Sequence, residues 1–178
     1  MKQFLKVVVW IIILGGVGFG VYMIMPEYPH DFVKSFVQPV IDSSAKTRID
    51  QVKNLPIGVK GLDGVTYKMA LTKNTGMNCW VYEKDETTGV ETVTFRGNGA
   101  SINMKDYTDY NGKLYTSCAV KFDFVITGNN VEIIPYLDGT KMRSDADIGT
   151  EKDKEVLHNI VSQMYGGVQE EEAIGCCS

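Results

Sequence analysis

Residues 115–136, YTSCAVKFDFVITGNNVEIIPY, contain the clearest strand pattern in the chain. In the first half, apolar side chains occupy every second position: Cys118, Val120, Phe122, Phe124 and Ile126. A period of two is typical of a strand with one buried face. The polar segment TGNN at 127–130 then leads into a second apolar run. Because the connection is so short, the stretch predicts an antiparallel β-hairpin.

Four more alternating runs precede this hairpin, at residues 65–71, 78–83, 90–95 and 100–104. Polar or glycine-rich segments separate them, among them KDETTG at 84–89 and RGNG at 96–99. Such segments are typical of tight turns between neighbouring strands. With the two strands of the hairpin, these runs predict an antiparallel β-meander of about six strands.

The pattern after the hairpin changes from strand to helix. Thr150 begins a segment that approximates a capping box, and four apolar residues then recur on one helical face: Leu157, Ile160, Val161 and Met164. Gly166 and Gly167 predict the end of this helix. The acidic tail at 167–178 has no periodicity and is predicted to be disordered. Strands followed by a helix indicate an α+β fold for a domain at 57–166.

The segment before the domain, residues 26–56, is predicted to form a membrane-proximal helical stalk. Apolar residues recur at helical spacing within it: Val33, Phe36, Val37 and Val40. Asp31 is the predicted N-cap, and Pro39 is expected to kink or divide the helix. We expect one face of the stalk to rest on the sheet that follows.

Residues 7–25, VVVWIIILGGVGFGVYMIM, contain no charge and are long enough to cross a bilayer as one helix. Lys2 and Lys6 precede this run, so the positive-inside rule places residues 1–6 in the cytoplasm and the rest outside. The sequence therefore predicts a single-pass protein of the cytoplasmic membrane. Gly16 and Gly20 have the spacing that lets two membrane helices pack closely. Cleavage of the run as a signal peptide is the alternative.

Charge and cysteine content narrow the classes of function. Without Lys2 and Lys6, the extracytoplasmic part has 16 basic and 22 acidic residues, a net charge of −6, and this balance argues against binding to nucleic acid.

Outside the membrane, cysteines in neighbouring strands can pair. Of the three connectivities open to four cysteines, we favour a disulfide between Cys79 and Cys118, because residues that should be buried flank both. Cys176 and Cys177 lie in the tail.

The sequence contains no recognisable catalytic or metal-binding pattern. Neither histidine, His30 or His158, lies near a nucleophile motif, so we predict no catalytic residues, no cofactor and no metal site. Trp80 and Tyr82 share one face of their strand, where an exposed pair could anchor a protein interface. A second core face beneath a helix is the alternative for this pair.

These features favour a non-enzymatic binding or assembly module, anchored through residues 7–25 on the periplasmic side of a bacterial membrane. Its expected partner is another envelope protein, as for an inhibitor or immunity factor. A self-assembling subunit is the second hypothesis, because the apolar helix, the following helix and the sheet are similar in outline to type IV pilins. The chain departs from pilins in lacking a glycine–phenylalanine processing site before the apolar run and a glutamate early within it. An enzyme that uses carboxylates is the third.

Overall fold

The computed structural model describes residues 29–110 and 112–166. The predicted segments at 1–6 and 7–25, with Gly16 and Gly20, lie outside these residues, as do the tail and its two cysteines. Among the helices that are described, none combines the length and the apolar character needed to cross a membrane.

The centre of the fold is a five-stranded antiparallel sheet whose strands pair in chain order. The strands are β1 (Asn78–Lys84), β2 (Glu91–Asn103), β3 (Leu114–Thr127), β4 (Asn130–Leu137) and β5 (Thr140–Lys141). Thr127 pairs with Asn130 across a two-residue turn, in which Gly128 has a φ of +61°. The predicted α+β fold and the hairpin at 115–136 are confirmed.

Four α-helices accompany the sheet: α1 (Pro29–Ile41), α2 (Ser43–Lys53), α3 (Tyr67–Lys73) and α4 (Glu151–Gly166). Two single 3₁₀ turns lie at Thr108–Tyr110 and Asp145–Asp147. The helices α2, α3 and α4 enclose the main core with one face of the sheet. Aromatic rings dominate that core, where Trp80 lies 4.8 Å from Phe95 and 5.9 Å from Phe124 between ring centroids.

The helix predicted after Thr150 is confirmed as α4. It begins directly after Thr150, whose Oγ1 accepts a hydrogen bond of 3.3 Å from the backbone N–H of Asp153. Ile160, Val161 and Met164 are buried in the core. Arg143 fixes the first turn of this helix to the sheet, since its guanidinium contacts two carboxylates, Glu132 at 2.5 Å and Asp153 at 3.0 Å.

The predicted strand at 65–71 is wrong, because this segment forms helix α3. Thr66 is the N-cap and its hydroxyl accepts from the N–H of Met69 at 3.4 Å. Tyr67, Ala70 and Leu71 are buried at helical spacing, whereas Met69 is exposed. The apolar residues of this segment fit both the alternation of a strand and the spacing of a helix. The Thr66 cap and the burial of one helical face in the core favour the helix.

The predicted strands at 90–95 and 100–104 are one continuous strand, β2. The RGNG segment does not turn the chain but continues the pairing with β3 and contains a bulge between Asn98 and Ala100. Gly99 adopts a φ of +88° at this bulge, which a glycine tolerates without steric cost. The sheet therefore has five strands rather than six, with the short β5 at its far edge.

Two helices lie within the segment that was predicted as a stalk. Helix α2 buries Ala45, Ile49 and Val52 in the same core as the sheet. Helix α1 begins at Pro29 rather than after an Asp31 cap, and Asp31 lies in its first turn. The chain divides at Asp42, whose carboxylate accepts from the N–H groups of Ser44 and Ala45 and so caps α2.

Candidate functional site

The structure does not bring together the two cysteines predicted to form a disulfide. Cys79 pairs with Arg96 and Cys118 with Ala100, so the full width of β2 separates them. Their Cα atoms are therefore separated by two strand spacings and by four residues along β2. This separation exceeds the upper limit for a disulfide, which is about 7 Å. The strand alternation also directs them to opposite faces of the sheet. Both are buried free thiols.

Burial makes these thiols poor nucleophiles. It raises the pKa of Cys79 to about 11, with the negative charge of Asp31 adding to the effect. The pKa of Cys118 is likewise raised to about 11, mainly by burial. Since the thiolate is the reactive form, both side chains are expected to be inert at neutral pH.

The candidate interface residues Trp80 and Tyr82 face the main core. Their relative exposures are 6% and 5%, and Trp80 is part of the aromatic cluster with Phe95 and Phe124. With so little exposed surface, they do not form the exposed pair that this interface would need, although Tyr82 also borders the cleft described below. Their position agrees with the alternative hypothesis, in which this face of β1 belongs to the core beneath the helices.

Helix α1 lies against β1 with its polar side toward the sheet. Lys34, Gln38 and Asp42 are spaced by four residues and form a polar ridge along this side. The side-chain amide of Gln38 donates to the carbonyl of Tyr82 at 2.7 Å and accepts from its N–H at 3.0 Å. Gln38 thus satisfies part of the free edge of β1, much as a neighbouring strand would.

Two ion pairs from the N-terminal half of α1 also hold it against the sheet. The ammonium of Lys34 lies 2.9 Å from the carboxylate of Glu83 in β1. The carboxylate of Asp31 lies 2.7 Å from the guanidinium of Arg96 in β2. Polar contacts thus attach the helix to β1 and β2, and Cys79 and Val81 are buried in the strand that it contacts.

A cleft of about 940 Å³ lies between the polar ridge of α1 and the β1–β2 hairpin. One wall consists of Lys34, Gln38, Asp42 and Ser44, and the other of residues 82–86, 88 and 90–92. Five carboxylates and two lysines line it, so its formal charge is −3: Asp42, Glu83, Asp85, Glu86 and Glu91 against Lys34 and Lys84. We call it the acidic cleft.

Internal contacts order the side chains of the acidic cleft. Asp85 accepts from the N–H groups of Thr87 and Thr88 at 2.8 and 3.2 Å. The hydroxyl of Thr88, together with these N–H groups, lowers the pKa of Asp85. Burial and the negative charge of Glu91 raise the pKa of Tyr82, which keeps its hydroxyl neutral. Glu91 is paired with Arg48 of α2.

The opposite side of α1 is apolar and exposed. Five residues form what we call the apolar stripe: Val33, Phe36, Val37, Val40 and Ile41. A second groove, of about 420 Å³, runs beside it and shares Lys34, Gln38 and Asp42 with the acidic cleft. The polar ridge therefore separates the two surfaces. Among the described residues, no group of three or more potential metal ligands lies close enough to hold an ion.

Comparison of the chain with protein-family models, curated proteins and solved structures finds no match.

The sequence interpretation missed the acidic cleft. It identified the KDETTG turn and the helical spacing around Val33, but not that these segments adjoin. The signal that was present is the repeat of polar residues at 34, 38 and 42, each directly after an apolar residue. That pattern indicates a helix with two distinct faces, and only the fold shows which face contacts β1.

Proposed function

We propose that the chain is a membrane-anchored extracytoplasmic module that binds a partner protein, and that the acidic cleft is the docking site. The observation that carries this proposal is the cleft itself, a wide concavity with an excess of three negative charges. The anchor is the predicted helix at 7–25, with the described domain on the periplasmic side of the cytoplasmic membrane.

The charge of the cleft indicates the chemistry of the partner. Carboxylates along a concave surface attract lysine and arginine side chains and accelerate encounter with a cationic protein surface. Glu83 and Glu86 are well placed for such contacts, since 70% and 84% of their side chains are exposed. Each carboxylate oxygen has two acceptor positions, so a carboxylate that already has one partner can accept another.

The internal contacts of the carboxylates favour binding over catalysis. Asp42 caps α2, Glu83 is paired with Lys34, Asp85 accepts from two backbone N–H groups, and Glu91 is paired with Arg48. A general acid or base needs a pKa near the working pH. The pKa of Asp85 is instead lowered, so this carboxylate stays ionised. We therefore propose a module that is not an enzyme.

The test is photocrosslinking of the full chain in native membranes, followed by mass spectrometry of the adducts. A photoreactive residue replaces Glu86 in the cleft or, as the control, Asn129, which is exposed in the β3–β4 turn. The proposal predicts one dominant adduct with a second protein from position 86 and none from position 129. Adding Glu83→Lys to the variant with the photoreactive residue at position 86 should strongly reduce that adduct, and higher salt should weaken it.

Two outcomes contradict the proposal. A ladder at multiples of about 20 kDa that contains only this chain would favour the self-assembling subunit instead. Equal labelling from positions 86 and 129 would show that the cleft does not bind a specific partner.

A further inference from the structure

The apolar stripe of α1 faces away from the protein although a surface helix normally buries its apolar side. Its members lie at positions i, i+3, i+4, i+7 and i+8, which places all five on one helical face. Their exposure is large, with 64% of Phe36, 83% of Val40 and 77% of Ile41 accessible.

The contacts of α1 hold the stripe in this outward orientation. Rotating the helix to bury the stripe would break both hydrogen bonds between Gln38 and Tyr82. It would also separate Lys34 from Glu83 and Asp31 from Arg96. The stripe is thus a stable feature of the folded surface, and covering it from outside would be favourable.

The chain before α1 indicates what covers the stripe. The predicted membrane helix ends at Met25, and only residues 26–28 separate it from Pro29. Four Cα–Cα steps span at most about 15 Å, so α1 begins close to the surface of the bilayer. A short tether of this kind gives the membrane a high effective concentration at the stripe, which a free partner would have to exceed.

We propose that α1 lies in the outer interface of the membrane, with the apolar stripe toward the acyl chains. This inference rests on the membrane anchor of the proposed function. Helices of this type bury their apolar side about 5–10 Å below the headgroups. Of the charged residues beside the stripe, Asp31 and Lys34 are in ion pairs and Asp42 caps α2, so apolar burial rather than attraction to anionic lipid drives the contact.

This orientation has a consequence for the acidic cleft. The cleft and the groove beside the stripe share the residues of the polar ridge, so this orientation brings the rim of the cleft close to the membrane surface. The proposed partner therefore has to reach that surface, either as a membrane protein or as a protein that travels along the membrane.

The experiment places a nitroxide label on the full chain in phosphatidylcholine vesicles. The labelled variants are Val40→Cys in the stripe and Asn129→Cys in the β3–β4 turn. Both carry Cys176→Ser and Cys177→Ser, and the remaining thiols, Cys79 and Cys118, are buried. Flotation after carbonate extraction first establishes that the chain is anchored. Collision of the label with oxygen and with a water-soluble nickel chelate then reports its depth.

The proposal predicts a severalfold higher ratio of oxygen to nickel collisions at position 40 than at position 129. The ratio should not change when anionic lipid is added. An anchored chain with equal ratios at both positions overturns the inference and leaves the anchor intact. Spin–spin broadening at position 40 that disappears on dilution with unlabelled chain overturns it too, because a second copy then covers the stripe. Release by carbonate refutes the anchor itself.

Discussion

Replacing Gln38 with alanine should open the edge of β1 at Tyr82 while the rest of the sheet stays paired. The Gln38 amide makes two hydrogen bonds with the backbone of Tyr82, of 2.7 and 3.0 Å. The register pairs Tyr82 with Val93, but the Tyr82 N–H points away from β2 toward α1. Alanine cannot reach this edge.

The expected cost follows from the two lost hydrogen bonds. Each neutral bond contributes about 0.5–1.5 kcal/mol, which gives about 1–3 kcal/mol for the pair. Water can reach a sheet edge once the side chain is gone, so we expect the lower half of this range, about 1–2 kcal/mol. Because 1.4 kcal/mol corresponds to a factor of ten, the Tyr82 amide should exchange roughly ten times faster.

Amide hydrogen exchange of the full chain in detergent micelles, followed by NMR, measures this effect directly. Val81 is the internal control, since in an antiparallel ladder its N–H points to the other side, toward Thr94. Val37→Ala is the matched variant, because it shortens an outward side chain of the same helix. Unchanged exchange of Tyr82 in Gln38→Ala would refute the role of Gln38, and so would an equal effect of Val37→Ala.

Four further predictions concern stability and thiol chemistry. Asp42→Ala removes the cap of α2 and should lower the free energy of unfolding by about 1 kcal/mol in urea titrations, without changing the strand content seen by circular dichroism. The Arg143 side chain is only 4% exposed, and Arg143→Met leaves its two carboxylate partners without a cation. The free energy of unfolding should fall by at least about 2 kcal/mol. A smaller loss would mean that water replaces the ion pairs. Cys79 and Cys118 should resist iodoacetamide at pH 8 and react fully in guanidinium without reductant; a disulfide would prevent that reaction. Because burial raises both thiol pKa values from 9.0 to about 11, the folded state retains these protons longer than the unfolded state. Stability should therefore be unaffected by them below pH 9 and fall between pH 9 and 11, and replacing both thiols with alanine should flatten that fall.

The elements that the sequence predicted correctly are those with a local physical cause. The alternation at 118–126 and the tight turn after it allow only a hairpin with one buried face, and the structure has this hairpin. The helix after Thr150 has its own cap and its own apolar face, and it also forms as predicted. In both cases neighbouring residues supply the main constraint.

The elements that were wrong have patterns that satisfy two structures at once. Residues 65–71 fit a strand by alternation and a helix by the spacing of Tyr67, Ala70 and Leu71. The RGNG segment fits a turn by composition, yet glycine also permits the bulge through which β2 continues. In these segments the partners in space, and not the local preference, determined the outcome.

In the candidate site, too, some features follow from the local sequence and others only from contacts in the folded structure. The spacing of Val33, Phe36, Val37 and Val40 by itself determined that α1 is a helix with one apolar side, because 3.6 residues per turn place these side chains together. Only the tertiary structure decided that this side faces outward. The reason is that the free edge of β1 presents an N–H and a carbonyl at Tyr82, which the Gln38 amide on the polar side of α1 satisfies and an apolar side chain cannot. The acidic cleft likewise exists only after folding, since its walls are about fifty residues apart in the chain.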